Sequence, residues 1–116
     1  MDIETDLHAY LPLTEATFFI LFSLSEGPKH GYAIMKGVNQ MSNGRINLST
    51  GTLYGVLKRL LDAGWIVREG EDEADVSTRV RKNYSLTGQG NSVLGMEVAR
   101  MRELVELSAS VTVSGF

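Results

Sequence analysis

The sequence has no cysteine, which removes disulfides, thiolate metal sites and thiol nucleophiles together and fits a reducing cytoplasm. It also has no hydrophobic run of membrane length. The most apolar stretch, Ala16 to Leu24, falls well short of the roughly 18 residues a spanning helix needs, and the acidic start from Met1 to Asp6 argues against a signal peptide. The expectation is a soluble, cytoplasmic protein with no membrane partner. Only two histidines occur, His8 and His30, too far apart to form a metal constellation without cysteine beside them. Glu71, Asp72, Glu73 and Asp75 offer oxygen ligands, but not at EF-hand spacing. No nucleophile, base and orienting group stand at a recognisable spacing, and no phosphate-binding loop is present. No enzyme and no cofactor are expected. Internal repeats and low-complexity linkers are absent too.

What is present points to one small domain. At 116 residues with 43% hydrophobic content, the chain can bury a modest core that a second subunit would complete. The net charge of −3 is the wrong sign for a nucleic-acid binder, so its distribution matters more than its sum. From Lys29 to Arg68 six basic side chains face the single acid Asp62, a local charge of +5. Arg79, Arg81 and Lys82 add a second basic cluster, while the acids gather before Glu26 and between Glu69 and Asp75.

The pattern is densest from Ser49 to Gly64. Ser49 or Thr50 suits an N-cap and Gly64 a C-terminal stop. Between them Leu53, Leu57, Leu60 and Leu61 gather on one side of a helix, with Val56 at its margin. Gly51, Gly55, Lys58, Arg59 and Asp62 lie opposite, flanked by Thr52 and Tyr54. Two glycines on an exposed helix face cost about 1 kcal/mol each against alanine, which suggests a surface that something must approach closely. A flat face of small residues edged by Thr, Tyr, Lys and Arg suits a groove of duplex DNA; the alternative is a merely solvated polar face.

Around this helix the chain reads in order. Residues 1–13 form an arm anchored by Leu7, Tyr10, Leu11 and Leu13, packed on the domain or on a second subunit. A first helix runs from about Thr14 to Ser25, apolar nearly all round, and ends at Gly27-Pro28. A second spans Gly31 to Met41, and Ser42-Asn43-Gly44 turns toward the third. Trp65 to Arg68 and Val80 to Leu86 read as two strands of a wing, with Val80, Lys82, Tyr84 and Leu86 on one face. Thr87 caps a last helix to about Ser108, in which Leu94, Val98, Met101 and Val105 follow the 4, 3, 4 spacing of a helix-pairing seam widened by Leu104 and Leu107. The fold class is therefore mainly α with a small β-hairpin: a winged helix-turn-helix over residues 14–86, a dimerisation helix over 87–108 and a tail over 109–116.

Four segments, in order and with consistent spacing, carry a family resemblance. They are Leu13-Thr14-Glu15-Ala16-Thr17-Phe18-Phe19-Ile20-Leu21, Gly27-Pro28-Lys29-His30-Gly31-Tyr32-Ala33-Ile34, Gly51-Thr52-Leu53-Tyr54 followed by Leu57-Lys58-Arg59-Leu60, and Arg81-Lys82-Asn83-Tyr84-Ser85-Leu86-Thr87. Together they resemble the PadR family of winged-helix transcriptional regulators over about residues 13–108. The resemblance implies a homodimer, usually a repressor, that binds double-stranded operator DNA. It further implies release by a small aromatic ligand near the dimer interface. It places Thr52, Tyr54 and Lys58 at the DNA, Lys29 and His30 near the backbone, and Arg81 and Lys82 on the wing. Asn83, Gly88 and Asn91 depart from the family pattern, where an aromatic, an acid and a base are commoner.

The candidate DNA-binding set is thus Lys29, His30, Thr50, Thr52, Tyr54, Lys58, Arg59, Arg79, Arg81 and Lys82. Lys58 and Arg59 reach either guanine edges or phosphates, and only the former reads sequence. His30 contacts a phosphate or caps helix two, and Tyr54 is half core. The wing cations touch the duplex or guard a strand edge. The candidate dimer interface is Phe18, Phe22, Leu94, Val98, Met101, Leu104 and Val105. The competing function is a winged-helix module that binds protein without specific DNA binding.

Overall fold

Among the described residues each of the four α-helices opens on a side chain that accepts the backbone N–H three residues further on, satisfying a donor the helix itself leaves unpaired. Thr14 caps α1 (Glu15–Ser25), His30 caps α2 (Gly31–Met41), Ser49 caps α3 (Thr50–Ala63) and Thr87 caps α4 (Gly88–Leu107). The computed structural model describes residues 7–69 and 82–111. The acidic stretch from residue 70, and with it Arg79 and Arg81, lies outside the described residues. Of the two cap candidates for α3, Ser49 is the one used. Gly64 closes the same helix in the left-handed region at φ 81°, its N–H reaching Leu61 and that of Trp65 reaching Leu60; a side chain at such a φ would be strained.

Among the described residues the expected hairpin is present and gains a third short strand. β2 (Ile66–Glu69) and β3 (Asn83–Leu86) pair antiparallel as the wing, and β1 (Lys29–His30) pairs with the other edge of β3, giving the order β1-β3-β2. Two residues squeezed between Pro28 and a helix cap carry no period, so β1 is defined only by its partner in space. β2 starts one residue later than the sequence suggests because the Trp65 N–H is spent on closing α3.

The core fills the space between α1, α2, α3 and the sheet. Ile20, Leu21 and Leu24 meet Ile34 and Val38, the four apolar residues Leu53, Val56, Leu57 and Leu60 of α3 pack beneath them, and Trp65, Ile66 and Tyr84 close the sheet side. The arm packs on its own domain: Leu7 is buried, the Tyr10 ring meets Trp65 edge-on at 5.1 Å, and the Leu13 N–H donates to Glu97 of α4 at 3.0 Å. Gly90 brings the start of α4 against the Trp65 carbonyl so closely that a Cβ there would overlap it. Leu94 is a correction to the expected seam. It is 6% exposed and belongs to the protomer's own core with Val93, because the first half of α4 packs on α1 and the sheet.

Candidate nucleic-acid interface

The turn between α2 and α3 is held by short-range polar bonds that fix how α3 is presented. The Ser42 hydroxyl donates to the Asn39 carbonyl at 3.2 Å and accepts the Ile46 N–H at 2.9 Å, and the Asn39 amide donates to Asn47. Arg45 makes a two-point pair with Glu15 at 2.8 and 3.1 Å, tying the turn to the start of α1. That guanidinium holds the Glu15 carboxyl below the usual range. A helix-turn-helix needs this rigidity, since α3 can enter a groove only if its angle is set from behind.

The outer face of α3 carries Thr50, Gly51, Thr52, Gly55, Lys58 and Arg59, all exposed. Among the described residues a Cβ added at Gly51 or Gly55 would meet nothing within 4 Å, so neither glycine serves packing against them. Thr52 gives its N–H to Ser49 and accepts the Ser49 hydroxyl at 2.9 Å. Tyr54 is half in the protein, as its position on the helix wheel suggested: its hydroxyl presses on Gly31 at the start of α2, leaving no room for a side chain there. Lys58 pairs loosely with Asp62 at 3.5 Å, both side chains well exposed, a contact worth at most about 1 kcal/mol.

The backbone-contact candidates behave differently from one another. Lys29 is turned back on α1, its ammonium donating to the Ser23 carbonyl at 2.8 Å and to Glu26 at 3.0 Å. Being only 21% exposed, it completes the end of α1, where a cation suits the unpaired carbonyls. His30 serves as a cap, its Nδ1 accepting the Ala33 N–H at 3.3 Å, and its ring stacks near that of exposed Tyr32. Lys82 is half-buried just before β3.

Between α3 and the sheet lies a slot of about 500 Å³ lined by Tyr54, Leu57, Lys58, Asp62, Arg68 and Tyr84. Arg68 is directly opposite Tyr84 in the β2–β3 ladder, and both therefore stand on the same sheet face. Burial raises the Tyr84 phenol above its ordinary range, Tyr54 adding to the rise and Arg68 opposing it. Sequence reasoning counted Arg68 as charge but did not place it in a site, since its register against β3 depends on the length and path of the connection.

The dimer candidates separate along α1 and α4. Phe22 is exposed and stacks on half-buried Phe18 at 5.8 Å, Val98 and Met101 are half-buried, and Leu104 and Val105 are exposed. Together with Leu107 they leave an apolar strip on the outer half of α4. A shallow cavity of about 360 Å³ opens there between Phe18, Val98, Met101 and Val105, rimmed by Arg102 and Glu106.

A family model for the PadR-like family of transcriptional regulators matches residues 20–96, covering the helix-turn-helix, the wing and the start of α4. The chain belongs to the PadR-like family. Among solved structures, this PadR-like chain is similar to a PadR-like transcription factor from Bacteroides fragilis, at 29% identity over 83% of this chain and 88% of that one with a TM-score of 0.68. The fold is shared with a transcriptional regulator from Clostridium thermocellum (20% identity, 94% and 99% covered, TM-score 0.68). It is also shared with a PadR family regulator from Clostridium difficile R20291 (23% identity, 84% and 97% covered, TM-score 0.66). An uncharacterized 37.1 kDa protein in transposon TN4556 of Streptomyces fradiae is 36% identical over 90 residues, 78% of this chain. The PadR-like chain spans about a quarter of that relative's length. Among the described residues no helix is long and apolar enough to cross a membrane. The family is one of transcriptional regulators.

Proposed function

We propose that this chain is a homodimeric repressor that binds a specific double-stranded operator in the cytoplasm through α3 and the wing. The observation that carries the reading is the α3 face itself. It presents Thr50, Thr52, Lys58 and Arg59 around two glycines that have open space before them, on a helix held from behind by the Ser42, Asn39 and Arg45 contacts. Thr50, Thr52, Tyr54, Lys58 and Arg59 would meet the duplex, and Arg79, Arg81 and Lys82 would extend the contact from the wing. Two such helices must sit about 34–36 Å apart to read successive major grooves. The apolar strip of Phe22, Val98, Met101, Leu104 and Val105 is the surface that would hold a second copy at that distance. The cavity beside Phe18 and Met101 is where an aromatic effector would act on the pairing.

Fluorescence-anisotropy titration onto the duplex upstream of the protein's own gene, beside a scrambled duplex, tests this. The expected preference is roughly 10³ or more, with log affinity falling against log salt at a slope of roughly −5 to −7, as three or four phosphates per protomer require. Equal, shallow binding to both duplexes would instead favour a winged-helix module that binds protein.

A further inference from the structure

We propose that Arg68 is a DNA-binding residue: with Lys58 on the facing wall it grips one backbone phosphate of the duplex in the slot between α3 and the sheet. This rests on the DNA-binding reading above and extends it to a residue outside the set drawn from sequence. Lys58 lies on α3 and Arg68 on β2, so the two cations approach the same slot from different elements. The floor is Leu57 and the buried ring of Tyr84, which keeps water off one side of an anion and strengthens its attraction to the two charges. A phosphate ridge entering from solvent meets a guanidinium that can bind it at two points.

The acids around the slot are disposed to permit this. Glu69, the acid of β2, is on the opposite sheet face, where it accepts the Ser85 hydroxyl at 3.1 Å. Asp62 lies in the slot but leans on Lys58 at 3.5 Å, with both groups exposed, a weak contact that a phosphate can displace. The direct pairing of Arg68 with Tyr84 across the ladder puts both on one sheet face, and both line the slot that Lys58 also lines. Both cations then set register along the backbone, and neither reads a base.

The test is a double-mutant cycle of Lys58→Ala and Arg68→Ala in the anisotropy assay, on operator and scrambled duplex, across a salt series. Arg68→Ala is expected to weaken both duplexes by the same factor, about ten-fold at about 0.1 M salt, and to flatten the salt slope by about 2 for a dimer. Arg68→Lys keeps most of the slope, and the thermal midpoint of each variant stays at the wild-type value because both side chains are exposed. The double variant loses less than the product of the single factors, since a shared phosphate is lost only once. An unchanged slope in Arg68→Ala beside steep wild-type binding overturns the slot. So does a loss confined to the operator, or fully multiplicative singles. A wild-type protein that binds neither duplex at any salt overturns the DNA-binding reading itself.

Discussion

Glu97 shows how one side chain ties two distant parts of the chain. It is 2% exposed, takes two hydrogen bonds from the Arg100 guanidinium at 2.6 and 3.1 Å and accepts the Leu13 N–H at 3.0 Å. The Arg100 hydrogen bonds hold its carboxyl below the usual range against the opposing push of burial, helped by the Leu13 N–H and the Arg100 charge. A carboxylate whose pKa is lower folded than unfolded stabilises the fold fully above its unfolded value, about 4.3. That contribution is lost as pH falls through the folded value. Glu97→Gln is expected to lower stability by about 1–3 kcal/mol at neutral pH, measured by urea denaturation, with the gap to wild type closing as pH drops below about 4.3. A gap that stays constant into strong acid would show that shape, not charge, holds the arm.

At the scale of elements, the glycines of α3 and α4 make opposite predictions. Gly55 has open space before it, so Gly55→Ala should raise stability by about 1 kcal/mol through helix propensity. If the face meets DNA closely, the same methyl weakens operator binding; a higher thermal midpoint with undiminished affinity would remove the glycines from the interface. At Gly90 an added Cβ overlaps the Trp65 carbonyl. That carbonyl accepts the Thr87 N–H, while the Thr87 hydroxyl donates to the Gly64 carbonyl at 2.6 Å. The junction joins the end of α3, the start of β2 and the start of α4, and Gly90→Ala should therefore destabilise by about 3 kcal/mol or more in thermal melts. In the fold Gly90 is a packing requirement, and the neighbour that demands it is 25 residues away in the chain.

For the whole molecule the decisive surface is the apolar outer half of α4, where Leu104, Val105 and Leu107 are exposed. Val105 is 70% exposed and Leu107 76%, a large apolar display for a chain of this size. Sedimentation at micromolar concentration is expected to give twice the protomer mass, and Val105→Glu is expected to give a monomer with unchanged circular dichroism. Such a monomer should lose most operator affinity, because two half-sites then bind without linkage. A Val105→Glu protein that remains dimeric would move the interface elsewhere.

The local pattern of the chain determined its helices and the exposed face of α3. Caps, glycine stops and the 3.6-residue period act over a few residues, so Thr14, Ser49, Gly64 and Thr87 bound their helices legibly, and Gly51, Gly55, Lys58 and Arg59 announced an outer face. What depends on separations of tens of residues was decided by tertiary structure alone. β1 exists because β3 lies beside it, Leu94 sinks into the protomer core, and Arg68 stands opposite Tyr84 in the slot. Each of these follows from one element packing on another, and a side chain's neighbours in space are set by that packing rather than by its neighbours in sequence.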